Sequence, residues 1–255
     1  MYHTEIHKVA EAARVKRNFI KSSKSKYILS SMLAGLYVGF GIVLIFTIGG
    51  LLSQSDVTSV RIIMGISFGI ALSLVIMAGS ELFTGNHMVM TIGNLEKTVT
   101  LLDSITVYCY SFIGNLLGSL LLAYLFILSG LDSGSTAGFI LKISQTKVSL
   151  PWIELLTRGI LCNTLVCLAL WCSFKMKEET GKLIMIFWCL FAFITTGFEH
   201  SVANMTLLSI AFLTPGQTTI SLSGFIYNIG VVSLGNFIGG ALIVGFSYWY
   251  IGRKE

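Results

Sequence analysis

Proline is almost absent from this chain of 255 residues, which has only two, and charged side chains make up just 11% of it. Soluble domains carry roughly twice that share of charge, so an ordinary water-facing surface cannot be built from this composition. Hydrophobic residues reach 54% and the mean hydropathy is +0.82; the solvent for most of the chain is lipid. The five cysteines, Cys109, Cys162, Cys167, Cys172 and Cys189, all lie inside apolar runs and include no C-x-x-C pair. That argues against a disulfide framework or a zinc module and leaves them as small packing residues. H-E-x-x-H spacing is missing, as is a strand-to-helix nucleophile elbow, so an intramembrane enzyme is not expected, nor any metal or cofactor. There is no low-complexity segment and no sign of a second domain.

What is abundant is glycine, with 26 residues scattered through the apolar runs, as expected where helix backbones pack closely in a membrane. The net charge of +5 does not gather on one face but sits at the ends of apolar runs, which argues against nucleic-acid binding. Residues 1–26 are polar and basic and contain no apolar core of a signal peptide. Ile6, Val9, Ala10, Ala13 and Phe19 recur there near helical spacing, which predicts an interfacial or cytoplasmic helix whose basic face, with His3 and His7, meets water and anionic lipid.

A bilayer core ~30 Å thick needs about 20 apolar residues per helix, and six runs qualify: Tyr27–Leu52, Arg61–Gly93, Asp103–Gly130, Trp152–Phe174, Lys182–Leu213 and Ser223–Ile251. Six spans return both ends to one side. Counted by alternate loops, Lys and Arg number thirteen on the terminal side and four on the other, which places both termini in the cytoplasm. The expected organisation is a basic arm, 1–26, and an all-α pore domain, 27–255.

The two halves repeat. Gly114-Asn115 with Gly118 in the third run matches Gly235-Asn236 with Gly239 in the sixth, and Gly79-x-Glu81 with Asn86 in the second matches Gly197-x-Glu199 with Asn204 in the fifth. Because each half holds an odd number of spans, the second copy enters the membrane upside down, giving an inverted 3+3 repeat typical of channels and transporters. The second and fifth runs are too long and too polar in the middle for one plain crossing. Glu81 and Glu199 sit near their centres, where an unpaired carboxylate costs about 3 kcal/mol or more. Ser80, Thr84, Gly85, Asn86 and His87 surround the first; His200, Ser201 and Asn204 follow the second. These residues cap helices and tolerate turns, so both helices are expected to be interrupted there.

An interrupted helix aims the free N–H groups of its second half at the break, and two such breaks facing one centre favour an anion. On this reading Asn86 and Asn204 serve as caps, and each glutamate accepts N–H bonds from the partner break; the glutamates either hold the breaks or meet the ligand directly. His200, placed in a break, can donate to an anion or exchange a proton with it, whereas His87 starts the following helix. Phe68, Leu72 and Phe193 lie two to three turns outward and Leu82 and Phe83 beside the break, positions that either pack the bundle or gate a path.

At these motifs the chain resembles the formate-nitrite transporter family. The likeness rests on E-L-F-T at Glu81–Thr84, K-V-S-L-P at Lys147–Pro151, R-G-I-L-C-N at Arg158–Asn163, G-F-E-H-S-V-A-N-M at Gly197–Met205 and L-G-N-F-I-G-G at Leu234–Gly240. It covers nearly everything after the basic arm and is most similar to the hydrosulfide-channel branch; Gly85-Asn86-His87 is where it departs from a shared pattern. The resemblance implies a homopentamer in the cell membrane with an aquaporin-like six-helix fold and one pore per protomer, passing small anions of weak acids such as hydrosulfide, formate or nitrite. It further implies His200 as the central histidine, Thr84 as the break-loop threonine, Lys147 as the loop lysine, and Asn163 and Asn236 as pore-facing amides. Phe68, Leu72 and Phe193 would form an outer constriction and Leu82, Phe83 and Val166 an inner one. Passive and proton-coupled passage both remain open, whereas a neutral-solute channel of the aquaporin type would carry paired N-P-A turns, which this sequence lacks.

Overall fold

A computed structural model describes residues 2–53, 59–214 and 220–253. Met1 and Lys254, the latter counted with the basic terminal side, lie outside the described residues. Every described element is helical. The chain begins with α1, His3–Ser22, which turns Ile6, Val9, Ala10, Ala13 and Ile20 inward. It lies against the half-helix Phe83–Leu95 and is tied to the turn after it: the Thr98 hydroxyl donates to the Ala10 carbonyl at 3.0 Å and Arg17 donates to the Thr98 carbonyl at 3.1 Å.

Six helical stretches are long and apolar enough to cross a membrane. They are α2 (Lys24–Leu52), α3 with α4 (Val60–Met77), α6 (Leu101–Leu128), α8 (Trp152–Lys175), α9 (Glu179–Thr196) and the joined helix Leu222–Gly252. The last comprises α11 (Leu222–Phe237), a π-helical stretch over Ile238–Phe246 and α12 (Ser247–Gly252). Two shorter half-helices, α5 (Phe83–Leu95) and α10 (Ser201–Leu213), complete the second and fifth runs, and α7 (Gly134–Ser149), which the hydropathy pattern did not single out, precedes the fourth. Sequence chemistry accounts for the ends: Thr100 and Asp103 cap α6 reciprocally, Ser23 accepts the Lys26 N–H at the start of α2, and Pro151 immediately precedes α8.

Helices α2 and α6 touch along the first glycine motif, and α8 and α11 along the second. A β-carbon on Gly114 would meet the Ile28 carbonyl and one on Gly118 the Met32 carbonyl; on Gly235 and Gly239 the obstacles are the carbonyls of Leu156 and Ile160. The same spacing of carbonyls therefore faces the same spacing of glycines in both halves. Only glycine permits backbones to approach this closely.

Both interruptions are present but start earlier than the sequence pattern implied. Helix α4 ends at Met77 and α5 begins at Phe83, so Thr84 to His87 lie within the start of α5 rather than in the break itself. Helix α9 ends at Thr196 and α10 begins at Ser201, with His200 as the capping residue. Left-handed glycines, Gly79 at φ +76° and Gly197 at φ +81°, open the two turns.

The close approach gives a direct test. Gly118→Ala and Gly239→Ala are each expected to destabilise the protein by about 1–3 kcal/mol through overpacking, read as a lower thermal midpoint in detergent. Gly230→Ala, on α11 with nothing within 4 Å, should leave it unchanged or slightly higher.

Candidate functional site

Interrupting a helix inside an apolar bundle leaves backbone groups without partners, and those groups must be paired. Here one asparagine does this for each break. The Asn115 carbonyl oxygen accepts the Phe83 N–H at 2.9 Å, while its amide donates to the carbonyls of Glu81 at 2.9 Å and Ser31 at 2.7 Å. Asn236 repeats the pattern, accepting the Ser201 N–H at 2.9 Å and donating to the carbonyls of Glu199 at 3.0 Å and Gly159 at 2.8 Å. A backbone bond from each glutamate N–H completes the set, Glu81 to the Ser30 carbonyl at 3.4 Å and Glu199 to the Arg158 carbonyl at 3.3 Å.

This arrangement corrects three sequence expectations. The carboxylates of Glu81 and Glu199 do not accept N–H bonds from the opposite break. Asn86 and Asn204 do not cap α5 and α10; being one turn inside the helices, their side chains point sideways, Asn86 to the Tyr27 hydroxyl at 3.3 Å and Asn204 to Glu199 at 2.6 Å and Asn228 at 2.9 Å. The Asn236 amide is fully buried and spent on backbone; Asn163 is also fully buried, its NH₂ donating to the carbonyls of Thr84 at 3.1 Å and Asn236 at 2.6 Å, while its Oδ1 has no partner among the described residues. Asn163 therefore fastens one half's break to the other half's capping asparagine. His87 Nδ1 lies 3.3 Å from the same amide, with its ring edge-on to Phe83 and Tyr108.

Each glutamate instead holds a lysine. Lys16, on α1, reaches Glu81 at 2.7 and 2.9 Å, joined by the Tyr27 hydroxyl at 2.8 Å. Lys147, in the last turn of α7, reaches both oxygens of Glu199 at 2.7 Å. Asn228 braces the second pair by donating to the Lys147 carbonyl at 3.0 Å. A buried carboxylate is tolerated when it is paired and hydrogen-bonded. Lys16, one of the cations of the arm's expected lipid-facing surface, turns inward instead, and nothing in the sequence marks Tyr27 or Asn228, or gives Asn115 more than a place in the repeat. The signal for Asn115 was there: it occupies the position of Asn236 in the repeated glycine motif.

Between the pairs lies a line of three cavities. One, beside α7, holds about 150 Å³ and is lined by Arg61, Lys147, Arg158, Phe193, Glu199 and His200 among others. A second, beside α1, holds about 350 Å³ and is lined by Lys16, Leu72, Glu81, Leu82, Asn86 and Val166 among others. Between them is a space of about 10 Å³, room for roughly one water. Phe68, Leu72, Leu82, Val166, Phe193 and His200 line it, with Val38, Ala71 and Leu190.

Phe193 and His200 are shared with the α7 vestibule, whereas Leu72, Leu82 and Val166 are shared with the α1 vestibule. Leu72 thus belongs with Leu82 and Val166, not with Phe68, because α4 has already descended a turn beyond the Phe68–Gly69 bend. Phe68 meets Phe193 edge to face at a centroid distance of 5.5 Å. Phe83 lines none of the three; as the first residue of α5 it turns toward α6 and packs on Phe112 at 5.2 Å.

His200 is the polar group of the central space. Its Nδ1 accepts the Ala203 N–H at 3.1 Å, and Nε2 lies 2.9 Å from the Thr84 hydroxyl. An amide N–H only donates, so Nδ1 carries no proton and Nε2 does. Phe193 stacks on the ring at 6.0 Å with 18° between planes, fixing its orientation. A neutral imidazole with one N–H aimed inward is a hydrogen-bond donor; a second proton, on Nδ1, would displace the cap of α10.

Paired breaks, flanking ion pairs and a constricted polar centre define a membrane-spanning pore or carrier built on six helices. The comparisons specify which. A family model described as Formate/nitrite transporter matches residues 3–250. A nitrite transporter NirC of Salmonella typhimurium is 41% identical over 96% of this chain and 90% of its own length. A formate channel of Bacillus thuringiensis, BtFdhC, is 32% identical over 89% of this chain and 87% of its own. Among solved structures, one titled FNT family ion channel superposes with a TM-score of 0.91 at 38% identity, covering 97% of this chain and 98% of that one. A pentameric formate channel with formate bound superposes at 0.79 with 25% identity, covering 91% and 98%. The chain belongs to the formate/nitrite transporter family and is a multi-pass membrane protein, not an enzyme.

If the asparagine bridges hold the breaks, Asn115→Leu and Asn236→Leu should each cost about 1–3 kcal/mol for every buried group left unpaired. Both variants should therefore unfold well below the wild-type midpoint in detergent, whereas Asn18→Leu, on the exposed face of α1, should not.

Proposed function

We propose that each protomer is a pore for small monovalent anions of weak acids, hydrosulfide, formate and nitrite, and that five protomers assemble in the cell membrane with both termini cytoplasmic. The two halves act as inverted copies, so that the α7 vestibule opens outward and the α1 vestibule inward. The observation that carries this reading is the His200 Nε2–H, held against Thr84 in a space bounded by apolar side chains and reached from two vestibules. The names of relatives, a nitrite transporter and formate channels, support the substrate class. The pentameric neighbour and long rows of exposed apolar residues, such as Leu121, Leu125, Leu161, Ile226 and Leu234, support the assembly.

An anion approaching from the α7 side passes Lys147, loses water at Phe68 and Phe193, and takes in exchange the His200 Nε2–H bond that Thr84 otherwise accepts. The N-termini of α5 and α10 add partial positive charge at the same centre. Leaving past Leu72, Leu82 and Val166, it regains water beside Lys16. Hydrosulfide fits the smallness of the central space best, since it has a single heavy atom. Because the Ala203 N–H occupies His200 Nδ1, the ring is a fixed donor rather than a proton shuttle, which favours passive passage over proton-coupled transport.

Flux into proteoliposomes tests this: hydrosulfide, formate and nitrite should cross the wild-type protein, and rapid water flow with no anion flux would refute the reading. His200→Asn retains a capping oxygen but is too short to present a donor in the central space. It should lower anion flux by about ten- to a hundredfold, the worth of one hydrogen bond to a charge; unchanged flux would remove His200 from the path.

A further inference from the structure

Four charged side chains line the α7 vestibule: Arg61, Lys147, Arg158 and Glu199. Two of the three cations are matched. Lys147 is bound to Glu199 at 2.7 Å, and Arg158 is bound one turn back to Glu154 at 2.7 Å. Arg61 has no carboxylate within salt-bridge reach among the described residues. Its guanidinium lies against the turn that leads into His200: Nη1 is 3.5 Å, and Cζ 3.9 Å, from the point a β-carbon on Gly197 would occupy.

Helix stability does not explain the position. Arg61 is the second residue of α3, where the helix dipole disfavours a cation and an acidic residue is the stabilising choice. A guanidinium also presents N–H groups in a planar fork suited to two-oxygen anions.

We propose that Arg61 is the residue that selects anions at the α7 mouth, gathering a monovalent anion beside Gly197 and presenting it to the Phe193–His200 constriction. This rests on the pore reading above. The ion-paired Lys147 and Arg158 shape the wall of the vestibule, and Arg61 sets its sign. Formate and nitrite, with two oxygens each, are the anions that engage its fork.

The test compares initial formate uptake into proteoliposomes by the wild type, R61Q and R61K, below saturation, at ~0.01 M and ~1 M ionic strength, where screening lengths are roughly 30 and 3 Å. At low ionic strength R61Q should be about three- to tenfold slower than the wild type and R61K should retain most of the rate. At high ionic strength all three should agree within about twofold, which also shows that R61Q is folded. An R61Q rate equal to wild type at low ionic strength overturns the proposal, as does a deficit that salt does not reduce. Absence of formate flux in the wild type itself at both ionic strengths overturns the pore reading, and the proposal with it.

Discussion

The rest of the structure depends on pairing the backbone where two helices stop inside an apolar bundle. On the side of each break that faces the bundle, the protein supplies side-chain amides, whose carbonyl and NH₂ ends match the amide N–H and carbonyls that the breaks expose. Asn115 and Asn236 each make two such bonds and a third to a carbonyl of α2 or α8, and their positions on α6 and α11 are fixed by flanking glycines that bring these helices against α2 and α8. Helix packing and break geometry are thus one constraint. Loosen the glycine contacts and the asparagines no longer reach.

Charge is arranged around that frame. Each break exposes helix N-termini that favour an anion, and a bare glutamate beside them would cancel the effect. Binding each glutamate to a lysine removes this conflict while keeping the carboxylates useful as anchors for α1 and α7. The basic arm is in this way part of the pore domain's wall, since Lys16 lines the vestibule that α1 covers. In the centre, the fixed tautomer of His200 offers one N–H and no net charge, which on the proposed reading would recognise an anion without trapping it.

Much of this was legible in the sequence. Hydropathy located the six spans, and the paired G-x-E and G-N-x-x-G motifs located both interruptions to within a few residues. His200, Thr84 and Lys147 were named by resemblance, and all three come together around one break. What failed has physical reasons. Asn86 and Asn204 look like caps because asparagine caps helices, but the true partner of each break comes from a distant helix, and spacing along the chain carries no record of that contact. Lys16 reads as one more cation in an arm that holds seven of the lysines and arginines before the first span; only the fold of α1 under α5 reveals its carboxylate. The resemblance implies an outer place for Leu72 and an inner one for Phe83, whereas the side of the cavity each serves depends on the direction its helix face takes.

The central claim is that an anion stands between the two constrictions, donated to by His200. Crystals soaked with hydroselenide, a heavier analogue of hydrosulfide, would show the ion by its anomalous scattering at the selenium edge. A peak is expected in the space enclosed by Phe68, Leu72, Leu82, Val166 and Phe193, within hydrogen-bond distance of His200 Nε2. Peaks confined to the two vestibules or to the apolar outer surface, with the central space empty, would contradict it.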